Sequence, residues 1–397
     1  MFTKPRVYLD YAAATPLHKR AFEEMKPYLI ERYGNASAIH KEGVKAREAV
    51  EAARERVGRT LQVKPEYVTF TGGGTESNNL AIIGCTEQLI DAGRTYGELE
   101  VITTRTEHPS VLNTMKALER RGVTVKYVSV DERGMVVQSE LRQLLSHKTV
   151  LFSCAYANSE IGTVQDVRGI KKVLAEAEQK YGTSVMFHLD AAQAPLWLSC
   201  QFDSLHVDLL SLDVGKCNGP KGIGILVRSR RATVLPTVFG GGQESGLRPG
   251  TENVAGIIGA SVALEEAQTH FKDRAAKVAA VRDKGIELLL SVPDTYLNGA
   301  KGEHRLANNI NISLIGVDTE YATIVLDTHG FAASTKSACA GAGGGKSVVV
   351  HEVTGDLARA TSTLRLSLSP ETTVKQLAEV AGVLRRHAEK MRGLTGE

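Results

Sequence analysis

Apolar positions along this chain keep switching between two periods, and the switches mark its elements. Residues 40–63, HKEGVKAREAVEAARERVGRTLQV, place apolar side chains three and four apart, which predicts an amphipathic helix. From Tyr67 the pattern becomes a short apolar run, a turn and a helix: YVTFT, then GGGTESNN, then LAIIGCTEQLIDAG. The alternation continues. Strands are expected in ELEVITTRTEHPSV, VTVKYVSV, TVLFSCAYANSEIG and TSVMFHLD, with helices in VLNTMKALERRG and GIKKVLAEAEQKYG. Strands that take turns with helices predict an α/β fold, a mostly parallel sheet flanked by helices.

The later part keeps alternating after one long helical stretch over residues 254–292, a natural bridge into a second unit. There NINISL, FAAST and TLRLSLS read as strands and TEYATIVLDTHG as a helix, with an amphipathic helix at the end. A chain of 397 residues exceeds one comfortable core. We therefore expect a large domain over 16–257 and a smaller α+β domain made of 1–15 and 258–397.

Charge and composition narrow the function. A net charge of +3 is small for this length, and the basic run RSRR after Val227 has no interleaved aromatic residues. Neither nucleic acid nor membrane is expected as a partner, and RSRR reads as a solvated turn. No apolar run approaches the roughly 18 residues of a membrane span, so a cytoplasmic location is expected. The five cysteines are scattered, without a Cys-x-x-Cys pair or a histidine cluster at metal-ligand spacing. That pattern suits a reducing compartment and predicts no metal site.

Polar residues accumulate where apolar strands end: Thr75, His108, Asn158, Asp190, Gln193 and Lys216. In open α/β sheets that edge is where ligands bind. Lys216 follows Asp190 by 26 positions, each near the end of an apolar run. The pair suits pyridoxal 5'-phosphate, which needs a lysine for its aldehyde and an acid to keep its ring nitrogen protonated. Gly72, Gly73 and Gly74 lie between a strand and a helix, so backbone N–H groups there either cradle a phosphate or simply form a tight turn. The run is no dinucleotide fingerprint, because Gly-x-Gly-x-x-Gly fails at Ser77.

A second glycine-rich stretch, AGAGGGKS at 340–347, satisfies a relaxed nucleotide-binding pattern. The SVVVHEV that follows is a poor helix start on its β-branched residues, so nucleotide binding is not expected. Glycine freedom here instead suits a moving nucleophile, Cys339, with Lys336 nearby to favour its thiolate.

Taken together, the motifs resemble the cysteine desulfurases, in the class V aminotransferase group of fold-type I pyridoxal-phosphate enzymes. The match is collinear through YLDYAAATP, FTGGGTESNNLA, TEHPSVL, NSEIGTVQD, HLDAAQ, GKCNGPKGIG, GGGQESGLRPGT, SAC and LRLSLS. The resemblance implies that Lys216 carries the cofactor and shuttles protons, and that Asp190 pairs with the ring nitrogen. It implies that Gln193 bonds the ring hydroxyl and His108 stacks on the ring and serves acid–base steps. Gly74 and Thr75 would hold the phosphate, with Thr251 reaching it from the partner of a homodimer. Asn158 and Arg365 would grip the carboxylate of L-cysteine. Cys339 would take the sulfur as a persulfide, release alanine, and pass sulfur to an acceptor protein such as one serving iron–sulfur cluster assembly. A related lyase for selenocysteine or a sulfinate, or a paralogue kept as a binding subunit, are the alternatives. Departures cluster beside the lysine: Asp213 stands where the resembled family has Ser or Thr, and Gly215 where it has His. Gly74 replaces a common Ala, and Lys336 a small residue.

Overall fold

The structure is a computed structural model that describes residues 6–335 and 345–395. Its strands, in chain order, are β1 (Val7–Tyr8), β2 (Val68–Thr71), β3 (Glu100–Thr104), β4 (Thr124–Val128), β5 (Thr149–Ala155) and β6 (Met186–Asp190). They continue with β7 (Leu209–Asp213), β8 (Gly224–Arg228), β9 (Thr295–Leu297), β10 (Asn309–Leu314), β11 (Phe331–Ala332) and β12 (Thr363–Ser367). Seven form one sheet in the order β2-β8-β7-β6-β5-β3-β4. All its pairings are parallel except those of β8, which runs antiparallel to β2 and β7. The expected mostly parallel α/β sheet is therefore present, with one reversed strand. A three-stranded antiparallel sheet, β12-β10-β9, and the parallel pair β1-β11 stand apart from it.

Because strand side chains alternate between faces, each central strand serves two layers. Phe187, Leu189, Leu210 and Leu212 join the larger apolar core, where the rings of Phe152 and Phe187 are 5.6 Å apart. Burying each such ring contributes about 1.5–3 kcal/mol. Leu151, Met186 and Leu209 face the other way, against Leu80, Ala81 and Val111 of the helices Gly74–Asp91 and Pro109–Arg121. On that second face, toward the carboxyl ends, the apolar side chains give way to Ser153, His188, Asp190, Ser211 and Asp213. His188 bridges Ser153 (2.8 Å) and Ser211 (2.9 Å) while fully buried. Burial lowers its pKa to about 4, so it stays neutral.

Three local expectations need correction. The long helical stretch is two helices, Val254–Thr269 and Phe271–Leu290, broken at His270. SVVVHEV does start a helix, Val348–Thr354, because Ser347 Oγ accepts from Val350 N (2.9 Å) and Val349, Val350 and Val353 pack against Ile161 and Ala360. Cap and burial outweigh the β-branched disadvantage. Within RSRR, Arg231 is anchored rather than solvated: it bonds both oxygens of Asp208 and also Glu178 and Val185 O.

Candidate active site

The carboxyl ends of β5, β6 and β7 open into a crevice lined by Thr75, His108, Asn158, Asp190, Gln193 and Lys216, among others. These six are the strand-end residues expected from the sequence, so the fold converges all of them. A neighbouring, more open hollow shares Gly74, Thr75, Asp213 and Lys216 with it.

Asp190 is 7% exposed at the end of β6. Its Oδ2 accepts from Asn78 Nδ2 at 2.8 Å and its Oδ1 from Ala192 N at 3.0 Å. Asn78 comes from the Gly74–Asp91 helix, four residues and about one turn after Gly74, so one helical face supplies both positions. The Nδ2 of Asn78 also donates to Ser110 Oγ at 2.9 Å. Ser110 in turn orders His108, whose ring is 2.7 Å from its hydroxyl and accepts from its backbone N–H at 3.1 Å. A backbone N–H can only donate, so His108 Nδ1 is the acceptor and a neutral ring carries its proton on Nε2. Burial, and then the Lys216 ammonium, hold the His108 pKa below its ordinary value.

Next to Asp190 lies a second acid, Glu107, fully enclosed. Thr104 Oγ1 donates to its Oε1 at 2.7 Å, and the Ala155 backbone also reaches the carboxyl. Burial, with a smaller push from Asp190, raises its pKa to about 8, so at neutral pH it is mostly protonated. Glu107 therefore favours its protonated form beside Asp190.

Lys216 ends the single-turn 3-10 helix Val214–Lys216 after β7. The amino-terminal segment secures this turn: Thr15 Oγ1 donates to Gly215 O (3.0 Å) and accepts from Asn218 N (2.8 Å). The same segment receives Gln193, whose Nε2 donates to Ala12 O at 2.9 Å. Asn158 is largely engaged in its own loop, with Oδ1 accepting from Glu160 N and Ile161 N and Nδ2 donating to Thr106 O, each at 2.9 Å.

Two expected residues stand outside the crevice lining. Arg365, 3% exposed on β12, donates to Ser159 O (3.0 Å) and Asp10 Oδ1 (2.8 Å), and its Nε is buried without a partner. Ser159 lines the crevice, so Arg365 lies one layer behind it. Thr251 is exposed and lines a different hollow with Gly72 and Arg248. Cys339 and Lys336 lie outside the described residues, but the chain leading to them is tied to Arg365: Ser334 and Arg365 exchange backbone hydrogen bonds at 3.1 and 2.7 Å. The four described cysteines, Cys85, Cys154, Cys200 and Cys217, are free and buried, and burial pushes every one of these thiols up. They are poor nucleophiles.

Sequence reading missed Asn78, Ser110, Glu107 and Asp10 as parts of the site. Helical spacing from Gly74 was a usable signal for Asn78, and the position two residues after His108 for Ser110. Among the described residues no helix is long and apolar enough to cross a membrane, and no group of three or more metal-ligating side chains gathers.

This sheet with its ligand edge defines the class: a fold-type I transferase. The Aminotransferase class-V family matches residues 7–380. The chain is 38% identical over 393 residues to the cysteine desulfurase IscS of Dictyoglomus turgidum, covering 99% of this chain and 97% of that protein. It is 37% identical over 401 residues to the cysteine desulfurase IscS of Neisseria meningitidis, covering 100% and 95%. Among solved structures, a NifS-like protein superposes with a TM-score of 0.86 at 31% identity, covering 98% of this chain and 99% of that one. SspA in complex with cysteine gives 0.77 at 32% identity, covering 92% and 99%. The chain belongs to the class V aminotransferases and, within them, to the cysteine desulfurases. Enzymes of this family use pyridoxal phosphate.

Proposed function

We propose that this desulfurase binds pyridoxal 5'-phosphate between Asp190 and Lys216 and uses it to move sulfur from L-cysteine to Cys339, releasing L-alanine. The carrying observation is the convergence of a donor-held carboxylate, an amine and a neutral imidazole on one crevice. That donor set fits the ring and aldehyde of the cofactor. The first turn of the Gly74–Asp91 helix offers backbone N–H groups toward a phosphate, and Gly73, its N-cap at φ 147°, holds a conformation that favours glycine.

When bound, the cofactor supplies an electron sink for the attached amino acid. Asp190 keeps a negative charge at the ring nitrogen, and Asn78 and Ala192 hold that charge in place. Lys216 Nζ would hold the cofactor's aldehyde and, when free, would move protons. The neutral His108 ring, held by Ser110, would lie against the cofactor ring. Arg365, aimed by Asp10 and Ser159, and the second Nδ2 proton of Asn158 serve the substrate carboxylate. The Cys339 thiolate would attack the sulfur of the bound cysteine, forming an S–S bond as the C–S bond breaks; the electron pair left on carbon takes a proton to give alanine, and the outer sulfur would pass to an acceptor protein's thiol. Thr251, exposed in its own subunit, supports a homodimer in which it completes the partner's phosphate site. The separate β12-β10-β9 sheet supports a division into 16–257 and 1–15 with 258–397, although one apolar core runs through both.

Incubating the purified protein with the cofactor and L-cysteine is expected to yield alanine and persulfide in equal amounts. Absence of turnover, or turnover indifferent to Cys339→Ala, would refute the reading.

A further inference from the structure

Asp213 stands at the mouth of the cradle that the cofactor's phosphate would enter. Its Oδ1 accepts from Gly215 N at 3.1 Å, which turns the carboxylate toward the start of the 18-residue Gly74–Asp91 helix. A methyl on residue 74 would come within 3.0 Å of Asp213 Cβ and 3.4 Å of Oδ2, so Gly74 makes room for the side chain at 213, which lies against the start of the helix. Both hollows of the site are lined by Gly74, Thr75, Asp213 and Lys216 together. The acid thus shares the space that the helix amides face.

The cations around it are positioned by other contacts. Two cations line these hollows, Lys216 and Lys221. Lys216 is the group assigned to the aldehyde, and Lys221 Nζ donates to Thr15 O at 2.6 Å. On the helix side, Glu76 adds a second acid; its Oε1 accepts from Arg248 Nε at 3.1 Å and its Oε2 from Gly72 N at 2.6 Å. Across the crevice stand the neutral His108 and the ring partner Asp190. Glu76 is thus paired with Arg248, whereas Asp213 has no ion pair among the described residues, so a phosphate entering here meets the Asp213 carboxylate directly.

We infer that Asp213 is a specificity-determining residue that weakens the phosphate's share of cofactor binding, so that this chain discriminates poorly between pyridoxal 5'-phosphate and unphosphorylated pyridoxal. The inference rests on the cofactor reading above and adds what this chain's own acid does to it. Ring and aldehyde contacts, through Asp190 and Lys216, carry the binding. The phosphate is tolerated at the rim.

The test compares dissociation constants of the two aldehydes for the full-length protein, followed by the lysine-linked visible absorbance, with Lys216→Ala as baseline. Asp213→Asn removes the charge and keeps an acceptor for Gly215 N; Asp213→Ser also shortens the side chain. Both are expected to raise the preference for the phosphorylated aldehyde by about tenfold or more, with pyridoxal affinity itself changed by less than about twofold. An unchanged or reduced preference in both variants overturns the inference. A wild-type protein that shows no Lys216-dependent absorbance with either aldehyde overturns the cofactor reading and this inference with it, which sets that failure apart from the first.

Discussion

Two aspartates end adjacent parallel strands on the same face of the sheet, and they do opposite things. Asp190 is buried, takes a hydrogen bond on each oxygen, one of them from a helix side chain 112 positions away, and has only a protonated neighbour in Glu107. Asp213 is half-buried, bonds only Gly215 N two residues along its own chain, and faces backbone amides that suit another anion. Residue type and strand position are the same in both. What differs is how many donors hold the charge and what else wants the same space. A carboxylate fixed by donors in a dry pocket is a preorganised charge; one placed at a phosphate cradle is a competitor.

The largest expected effect tests whether the crevice works at all. Lys216→Ala should lower turnover by about 10⁴-fold or more and abolish the visible absorbance of bound cofactor, read in a spectrum before and after adding cysteine. If absorbance survives, the lysine does not hold the aldehyde, and the comparison loses its shared centre.

Glu107 comes next, because burial holds its proton beside Asp190. Its folded pKa is about 8 against an ordinary 4.5, so the folded state retains a proton that the unfolded state has released. Stability from this group is full below pH 4.5 and falls as pH rises through 8, by up to about 5 kcal/mol. Glu107→Gln cannot ionise, and denaturant melts should show it gaining on the wild type from pH 5 to pH 8. A constant difference across that range would contradict a protonated Glu107.

Asp190→Asn should cost about 10²–10³ in kcat while leaving the lysine-linked absorbance in place, since the charge acts on the ring rather than on the attachment. Asp213→Asn, assayed alongside, should cost far less. Equal losses would erase the distinction between the two acids. The smallest effect is expected from Asn78→Ala, which leaves Asp190 Oδ2 and Ser110 Oγ without their donor. A loss of about 1–3 kcal/mol in unfolding free energy, with a weaker effect on kcat than Asp190→Asn, would place Asn78 as a positioning residue.

The crevice was legible in the sequence because its members sit at strand ends, where a period-2 apolar run gives way to a polar residue. Asp190, Gln193, Lys216, His108 and Asn158 could be named on that ground. Asn78 and Ser110 were hidden among ordinary helix-start polar residues; their partners are set by how the Gly74–Asp91 and Pro109–Arg121 helices meet. Glu107 looked like a strand-end charge, and only its enclosure makes it an acid that keeps its proton. The break at His270 was not legible, since apolar spacing continues across it. The helix after Ser347 was misjudged because propensity weighs single residues, whereas burial of three valines on one side decided the outcome.

By itself, the sequence determined what local periodicity can carry: the strand and helix alternation, the glycine turn before Thr75, and the residue types able to serve a pyridoxal enzyme. Tertiary structure alone decided that β8 runs backwards between β2 and β7, that Asp10 bonds Arg365 from 355 positions away, and that Asp190 is held on both oxygens whereas Asp213 bonds a neighbour two residues along. The reason is physical. Periodicity depends on neighbours within a turn or a pleat, whereas the energy of a charge depends on donors, burial and rival charges that only the folded chain brings together.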